Sequence, residues 1–440
     1  MKHKFKLTVV AILMGSAPCF ASTNIAENDN PTLKTYLNRF LGIACDKTAT
    51  ACVAVGFGKE PLEFQRLVYT TQDAGVTWSA PIALLSVPAE TKDSIHHAKI
   101  SCDATGQKCI IVSSAMKKNI PAPIVYSTKD GGLTWSDPML LPLPKATVEQ
   151  QDAEIGTSVS CNDSGDNCVI AGALYNDDDS NNHPQRDPLL YTTKDAGHTW
   201  NLSTLPAATT YSHGTTLVNV NCDNSGLACV IVGNALTKDS FWSNTYSSKP
   251  IVYTTQDGGT KWSKPIILPT AVTDSNGSTL DDVACNSTGS QCTAIGHTED
   301  HNATITKYFS FATANSGVAW GAQSEVFSSD SINGELRSLD CDEAANHCTA
   351  VGTRKFGNIK TKMVYKPLIY STTNGAANWV RNATLSFPTF SYLTDIACSK
   401  TENRCIAVGI QDDFSHVDNT LRRVQKKHSF VPSLQVKLVR

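Results

Sequence analysis

Four aromatic residues have the surroundings of a ligand site. Phe241, Trp242 and Tyr246 lie together in a stretch of serines and an asparagine, and Tyr175 begins a second polar stretch. Flat rings beside hydroxyl and amide groups suit sugar rings or a peptide partner. We predict that these four residues bind a ligand. The alternative is that the first stretch packs its own aromatic rings into a local cluster.

Two further patterns resemble metal sites but lack essential parts. Asp177, Asp179 and Asn181 have the alternate spacing of a calcium loop, yet the glycine and the closing glutamate of such a loop are missing. A solvated acidic loop is therefore favoured there. His297 and His301 lie four positions apart but follow a predicted strand, where that spacing does not bring two side chains to one zinc ion. We expect no metal, and since no phosphate-binding or dinucleotide motif occurs, no cofactor.

Catalysis of sugar hydrolysis would need a pair of carboxylates. The chain has 40 Asp and Glu residues, and spacing alone selects no pair among them. Catalytic residues are therefore unknown at this level. We expect a binding protein, with a glycoside hydrolase as the alternative.

Seven pairs of cysteines divide the chain into repeats. In each pair the second cysteine follows seven positions after the first, and β-branched runs flank the polar residues between them, which is typical of a β-hairpin. A disulfide would clamp the base of each hairpin, where the two strands lie close. The predicted disulfides are Cys45–Cys52, Cys102–Cys109, Cys161–Cys168, Cys222–Cys229, Cys285–Cys292, Cys341–Cys348 and Cys398–Cys405.

The N-terminus predicts export. Three lysines precede an apolar run that is too short to span a bilayer, and the small residues Cys19 and Ala21, at positions −3 and −1, favour cleavage before Ser22. Residues 1–21 are thus read as a signal peptide, and removing them leaves an even number of cysteines, as disulfides in an oxidising compartment require. We expect a secreted or periplasmic protein of a Gram-negative bacterium, monomeric and without a transmembrane segment. The net charge of −3 argues against a nucleic-acid partner.

A second motif follows each of the first six hairpins. Its first copy runs from Tyr69 to Trp78 and reads Tyr-Thr-Thr-Gln-Asp-Ala-Gly-Val-Thr-Trp. The pattern Ser/Thr-x-Asp-x-Gly-x-Thr-Trp resembles the Asp-box, or BNR repeat, of sialidases, Vps10/sortilin-type receptors, xyloglucan hydrolases and photosystem assembly factors. The motif positions are Asp73, Asp130, Asp195, Asp257, Asn315 and Asn374, with Trp78, Trp135, Trp200, Trp262, Trp320 and Trp379.

The resemblance implies an all-β fold, a single β-propeller in which each Asp-box is a turn between the third and fourth strands of a blade. We read these residues as structural, since one active site does not need six equivalent acids. The sialidase Arg-Ile-Pro motif is absent, so no arginine triad can be assigned.

The repeats predict seven four-stranded blades over residues 40–440, the last one degenerate from about residue 394. Six blades with an accessory hairpin are the alternative. Residues 22–39 would form an arm or a closing strand. The hairpin turns and the Asp-boxes should share one side, so a glycan or protein partner is expected on the other, where the loops vary.

Overall fold

The structure, a computed structural model, describes residues 7–13, 22–25, 36–59, 64–87, 97–117, 120–144, 154–176, 185–207, 212–238, 246–269, 277–299, 305–328, 334–356, 364–382, 391–411 and 438–439. Every regular element in these segments is a β-strand, and none is a helix. The prediction of an all-β protein is confirmed.

Six antiparallel units have the same order, with four strands that follow one another along the chain. The first three units are β3 (Tyr36–Cys45), β4 (Cys52–Lys59), β5 (Phe64–Thr71) and β6 (Ile82–Ala83); β7 (Ala98–Cys102), β8 (Cys109–Lys117), β9 (Ile120–Thr128) and β10 (Met139–Leu140); and β11 (Glu154–Cys161), β12 (Cys168–Asn176), β13 (Gln185–Thr193) and β14 (Asn201–Leu202).

The next three units are β15 (Ser212–Cys222), β16 (Cys229–Lys238), β17 (Tyr246–Thr255) and β18 (Ile266–Ile267); β19 (Gly277–Cys285), β20 (Cys292–Glu299), β21 (Ile305–Thr313) and β22 (Ser324–Ser328); and β23 (Gly334–Cys341), β24 (Cys348–Phe356), β25 (Val364–Thr372) and β26 (Val380–Arg381). Single parallel bridges, Arg186 to Gly214 and Ser248 to Gly277, join the third, fourth and fifth units.

The last sheet is assembled differently. Its order is β27 (Ser391–Cys398), β28 (Arg404–Gln411), β1 (Leu7–Leu13), β2 (Ser22–Ile25) and β29 (Leu438–Val439). Most of the C-terminal segment expected to complete a seventh blade lies outside the described residues. The number of blades and the domain bounds therefore stay predictions.

All seven predicted disulfides are present. Each joins the last residue of the first strand of a hairpin to its partner in the second strand, with Cα atoms 3.9 to 4.0 Å apart. We call each such pair of strands a cysteine hairpin. Seven disulfides indicate a non-cytoplasmic protein.

Backbone hydrogen bonds between neighbouring hairpin turns close a ring. The Lys47 amide donates to the Ala104 carbonyl at 3.1 Å, and Ala104 donates to Asp163 at 3.0 Å. The pattern continues as far as the Ser287 amide, which donates to the Glu343 carbonyl at 3.1 Å. The Lys400 side chain of the seventh turn donates to the Cys341 carbonyl of the sixth hairpin at 2.6 Å, and the Lys400 amide donates to the Lys47 carbonyl at 2.8 Å. The last cysteine hairpin is thus bonded to the first, and the radial arrangement of repeated sheets is that of a β-propeller.

The core lies between adjacent sheets. In one cluster, Val53, Val55 and Val68 of the first unit pack against Ile111 and Tyr126 of the second. The middle strands of each unit are covered by neighbouring sheets on both faces. Their sequences are therefore continuous apolar runs and do not alternate between apolar and polar residues.

The Asp-box turns and the hairpin turns lie on the same side of the ring, as predicted. The Ala74 amide of the first Asp-box donates to the Thr50 carbonyl of the first hairpin turn at 2.9 Å, and Gly131 repeats the bond to Gln107 at 3.0 Å. We call this side the turn face, and the opposite side, where the remaining connections begin and end, the loop face.

Candidate functional site

Charged and aromatic side chains gather on the loop face at the fifth and sixth units. Two β-bulges help to place them, one between Leu280 and Asp282 in β19 and one between Leu336 and Ser338 in β23. Bulges re-aim side chains that regular pleating would direct elsewhere. The extra residues of the two bulges are Asp281 and Arg337. We define the polar cluster as Asp281, His297, Glu299, Tyr308, Glu335 and Arg337.

His297 lies between two carboxylates. Its Nδ1 atom is 2.8 Å from an Asp281 carboxylate oxygen, and its Nε2 atom is 3.4 Å from one of Glu299. Burial opposes a charge on this ring, but the attraction and hydrogen bond of Asp281, together with Glu299, raise the pKa of His297 to about 10. The imidazole is therefore a cation at neutral pH.

The neighbouring unit adds an ion pair. Arg337 contacts Glu335 at 2.7 Å, and the arginine side chain is 41 % exposed. Tyr308 in β21 connects the two halves of the polar cluster, since it is fully buried and both Asp281 and Glu335 act on it. Burial and these two carboxylates raise the pKa of its hydroxyl well above the ordinary value. Tyr308 is thus neutral at any physiological pH.

Two tyrosines border the polar cluster. Tyr365 at the start of β25 stacks on Tyr392 of β27 with ring centroids 4.5 Å apart. Tyr392 is buried, whereas Tyr365 is half-buried. Glu335 and Arg337 both influence the hydroxyl of Tyr392, so the stacked pair lies beside the ion pair.

The ring axis is lined by polar side chains of the innermost strands and encloses a cavity of about 230 Å³. Lys99 contacts Asp395 at 2.8 Å, and Asp395 also accepts from the Ile43 amide at 2.9 Å. Asp282 accepts from the Leu339 amide at 2.6 Å. The two amide bonds join neighbouring hairpins, whereas the ion pair of Lys99 and Asp395 joins the second hairpin to the seventh. Burial raises the pKa of Asp282 to about 7 despite the opposing attraction of Lys99.

The aromatic residues predicted as ligand-binding are not placed in a common site. Phe241 and Trp242 lie outside the described residues, as do Asp177, Asp179, Asn181 and His301. Tyr246 opens β17, opposite Lys238 of β16, and Tyr175 lies in β12 opposite Glu154 of β11. Their role in binding stays a prediction. Within the described residues no group of three or more His, Cys, Asp or Glu side chains could hold a metal ion.

The Asp-box acids bond to their own turns. Asp195 accepts from the Thr199 amide at 2.8 Å and from the hydroxyl of Thr193 at 2.7 Å. Burial alone would raise the pKa of Asp195, but the hydrogen bonds from the two threonines outweigh it and lower the pKa to about 2. A carboxylate that stays ionised and is engaged by its own turn is a poor proton donor for catalysis. The bonds agree with a structural role, which stays a prediction.

The Asp-box glycine faces the preceding sheet. Gly197 has φ +82°, and a Cβ atom there would lie 2.7 Å from the Ile110 Cδ1 atom. The Trp200 indole nitrogen donates to the Gly197 carbonyl at 3.2 Å. The left-handed backbone therefore favours glycine here, and a larger residue would also have to displace the end of the Ile110 side chain.

The sequence reasoning did not identify the polar cluster. The sequence does contain one pattern that points to the nearby axis. The residue three positions before the first cysteine of each pair is polar in six of the seven repeats, and these six residues line the axis. They are Lys99, Ser158, Asn219, Asp282, Ser338 and Asp395. The bulged residues stand immediately before two of them.

Comparisons with known proteins give structural similarity only. No protein-family model matches the chain, and no curated protein gives a significant match. Among solved structures, the fold is similar to a Hadza microbial sialidase (12% identity, TM-score 0.45, covering 79% of this chain and 66% of that one). It is also similar to a PL25 ulvan lyase (12% identity, TM-score 0.47, covering 76% of this chain and 78% of that one). A third similar structure is an α-L-arabinofuranosidase from Fusarium graminearum (11% identity, TM-score 0.45, covering 86% of this chain and 99% of that one). The chain thus spans less than two thirds of the length of the sialidase. In the described part of the chain, no helix has the length and apolar character needed to cross a membrane.

Proposed function

We propose that the protein is an exported β-propeller that binds a glycan on its loop face, at the polar cluster and the Tyr365–Tyr392 pair. The observation that supports this most is the convergence of an exposed guanidinium, carboxylates and a tyrosine ring within one region of that face. Sugars present hydroxyl groups at their edges and apolar C–H groups on their faces. A site of this composition matches both.

Each group has a distinct part in the proposed complex. Arg337 is the most exposed charged group of the cluster and donates to sugar hydroxyls, while Glu335 orients the guanidinium from 2.7 Å. The half-buried ring of Tyr365 offers a surface for a sugar face, and Tyr392 supports it from beneath.

A glycan array with the oxidised mature protein, residues 22–440, tests this proposal. Arg337→Ala should lose the signals that the wild-type protein gives. Arg381→Ala is the matched control, because it removes an arginine from β26 of the same sheet but outside the polar cluster. An absence of any bound glycan, or equal binding by the two variants, would contradict the proposal.

The same array includes Trp242→Ala, which tests the aromatic stretch Phe241, Trp242 and Tyr246, together with Tyr175, as the alternative site. Loss of binding in Trp242→Ala alone would move the site to that stretch. The partner could also be a protein. A pull-down with the wild-type protein and Arg337→Ala addresses that possibility, and light scattering tests the proposed monomeric state.

A glycoside hydrolase is the alternative function, and Asp281 and Glu299, which contact opposite nitrogen atoms of the His297 ring, are the carboxylates of the polar cluster to test for it. If the bound glycan is cleaved, Asp281→Asn and Glu299→Gln should each abolish cleavage while binding persists. Cleavage by both variants would exclude this pair.

A further inference from the structure

The repeats provide an internal comparison for the polar cluster. Five cysteine hairpins have a β-bulge at the same position of their first strand. The extra residue is uncharged in three of them, Leu41, Val218 and Thr394, and charged in the other two, where it is Asp281 or Arg337. Because the same bulge forms around uncharged side chains, the fold does not need a charge at this position.

The position of His297 shows the same difference between repeats. His297 lies five residues after the second cysteine of its hairpin, and the other six hairpins have uncharged side chains there: Phe57, Ser114, Ala173, Asn234, Thr353 and Ile410. At both positions, charged side chains thus occur only in the fifth and sixth units. Residues that the fold does not require, gathered in one place, support a ligand site there.

The charges of the polar cluster do not cancel. Its cations at neutral pH are His297 and Arg337, and its acids are Asp281, Glu299 and Glu335, so these side chains have one negative charge in excess. Both cations are already engaged by acids of the cluster, His297 by two of them and Arg337 by Glu335 at 2.7 Å. The cluster is therefore better suited to a cation than to an anion.

Glu299 is the acid that an incoming cation reaches most readily. Its side chain is 36% exposed, compared with 24% for Glu335 and 19% for Asp281. Its carboxylate is 3.4 Å from the His297 ring, whereas Asp281 lies 2.8 Å from the same ring. A ligand ammonium group can therefore approach Glu299 without displacing the shorter contact of His297.

A buried hydroxyl in the cluster also lacks a partner. The ring of Tyr308 is fully buried and lies 5.6 Å from that of His297, measured between centroids. Asp281 and Glu335 both act on the Tyr308 hydroxyl. No hydrogen bond of ordinary geometry reaches this hydroxyl from the residues that the structure describes, although the Leu336 backbone lies near it. Buried hydroxyl groups normally have a partner, and a ligand group, or a water molecule that it holds, would supply one here.

We propose that the ligand of the loop face is a glycan with protonated amino groups, one of which pairs with Glu299. This inference rests on the glycan site proposed above and names the class of its ligand. An ammonium group compensates the excess carboxylate, whereas an anionic sugar would add a further negative charge beside three acids. N-acetylation of the sugar removes the positive charge and with it this attraction.

Titration calorimetry of the oxidised mature protein with three oligomers of equal length tests the inference. They consist of glucosamine, N-acetylglucosamine and galacturonic acid, and they are compared at pH 6, where the amines are protonated. At low salt the glucosamine oligomer should bind at least about tenfold tighter than the N-acetylated one, and the galacturonate oligomer should bind most weakly. At about 0.5 M salt this preference should fall to within about threefold, because salt screens the charges.

Two variants locate the ammonium group. Glu299→Gln should still bind both glucosamine oligomers, with affinities within about twofold of each other. Glu325→Gln is the matched control, since Glu325 belongs to the same unit but pairs with Lys307 at 3.9 Å outside the polar cluster. This control should keep the preference of the wild-type protein.

Several results would overturn the inference while the glycan site itself stands. They are equal binding of the glucosamine and N-acetylglucosamine oligomers, tighter binding of galacturonate, an unchanged preference in Glu299→Gln, or no binding of any oligomer although the array shows a ligand. An equal loss of preference in Glu299→Gln and Glu325→Gln would also overturn it, because it would indicate unspecific attraction of a polycation. An array without any bound glycan contradicts both the inference and the proposed function.

Discussion

Neutralising His297 should remove a contribution to stability that depends on pH in a defined direction. The ring has an ordinary pKa of 6.5, which Asp281 and Glu299 raise to about 10 in the folded protein against the effect of burial. A group whose pKa is raised by folding stabilises the folded state fully below the unfolded value. That contribution is lost as pH rises from 6.5 towards 10.

The magnitude follows from the shift. Each pKa unit corresponds to about 1.4 kcal/mol, and since the unfolded ring is still partly protonated near pH 6.5, the wild-type protein should lose about 2.5 kcal/mol of this contribution between pH 6 and 8.5. The side chain of His297 is only 14% exposed, so solvent screening is small. His297→Gln cannot ionise, and it leaves Asp281 without its cationic partner, at a cost on the order of 3–5 kcal/mol near pH 6.

Urea unfolding of the oxidised wild-type protein and His297→Gln at pH 6, 7, 8 and 8.5 measures the difference directly. The gap in unfolding free energy should be largest at pH 6 and should narrow by about 2.5 kcal/mol at pH 8.5. His347→Gln is the control, since His347 pairs with Asp342 at an exposed turn. A gap that stays constant over this range, or a His297 pKa near 6.5 by NMR, would refute the reasoning.

Three further predictions concern other parts of the molecule. Burial raises the pKa of Asp282 to about 7, so ionisation of this carboxyl is disfavoured in the folded wild-type protein. The melting temperature of Asp282→Asn should therefore rise relative to that of the wild type as pH increases from 4.5 to 7.5. A difference in Tm that does not depend on pH contradicts this. Replacing both Cys102 and Cys109 by serine should lower the unfolding free energy by roughly 2–3 kcal/mol in urea, and an unchanged midpoint would contradict the clamping role. Asp73→Ala should lower stability by about 1–2 kcal/mol through loss of its bonds to Thr77, without changing glycan binding, whereas lost binding at unchanged Tm would contradict its structural reading.

The fold could be predicted from the sequence because the residues that recur in each repeat, cysteine pairs and Asp-box positions, have strict geometric requirements. Cysteines seven positions apart can bridge two strands only across a tight turn, and the structure places all seven disulfides there. The Asp-box copies, in phase with the hairpins, indicated third and fourth strands. Radial closure followed from repetition, and the hydrogen bond from Lys400 to Lys47 completes it.

The polar cluster could not be predicted because it depends on bulges and on contacts between repeats. Asp281 and Asp282 are adjacent in sequence, yet one contacts His297 and the other accepts from Leu339 of the next hairpin. Asp281 is the extra residue of the register shift in β19, and the residue types around it do not indicate a bulge. Arg337 likewise occupies a bulge, and its nearness to Tyr392 exists only after the sixth and seventh hairpins pack together.

The pairing of β28 with β1 was also unexpected, because apolar residues near an N-terminus are read as a targeting signal whatever their strand propensity.

The most direct test of the central claim is calorimetric titration of the strongest array ligand into three proteins: the mature wild type, Arg337→Ala and Arg381→Ala. A glycan site at the polar cluster predicts that Arg337→Ala weakens binding at least about tenfold while Arg381→Ala stays within about twofold of the wild type. Equal affinities for all three proteins would contradict a glycan site at the polar cluster.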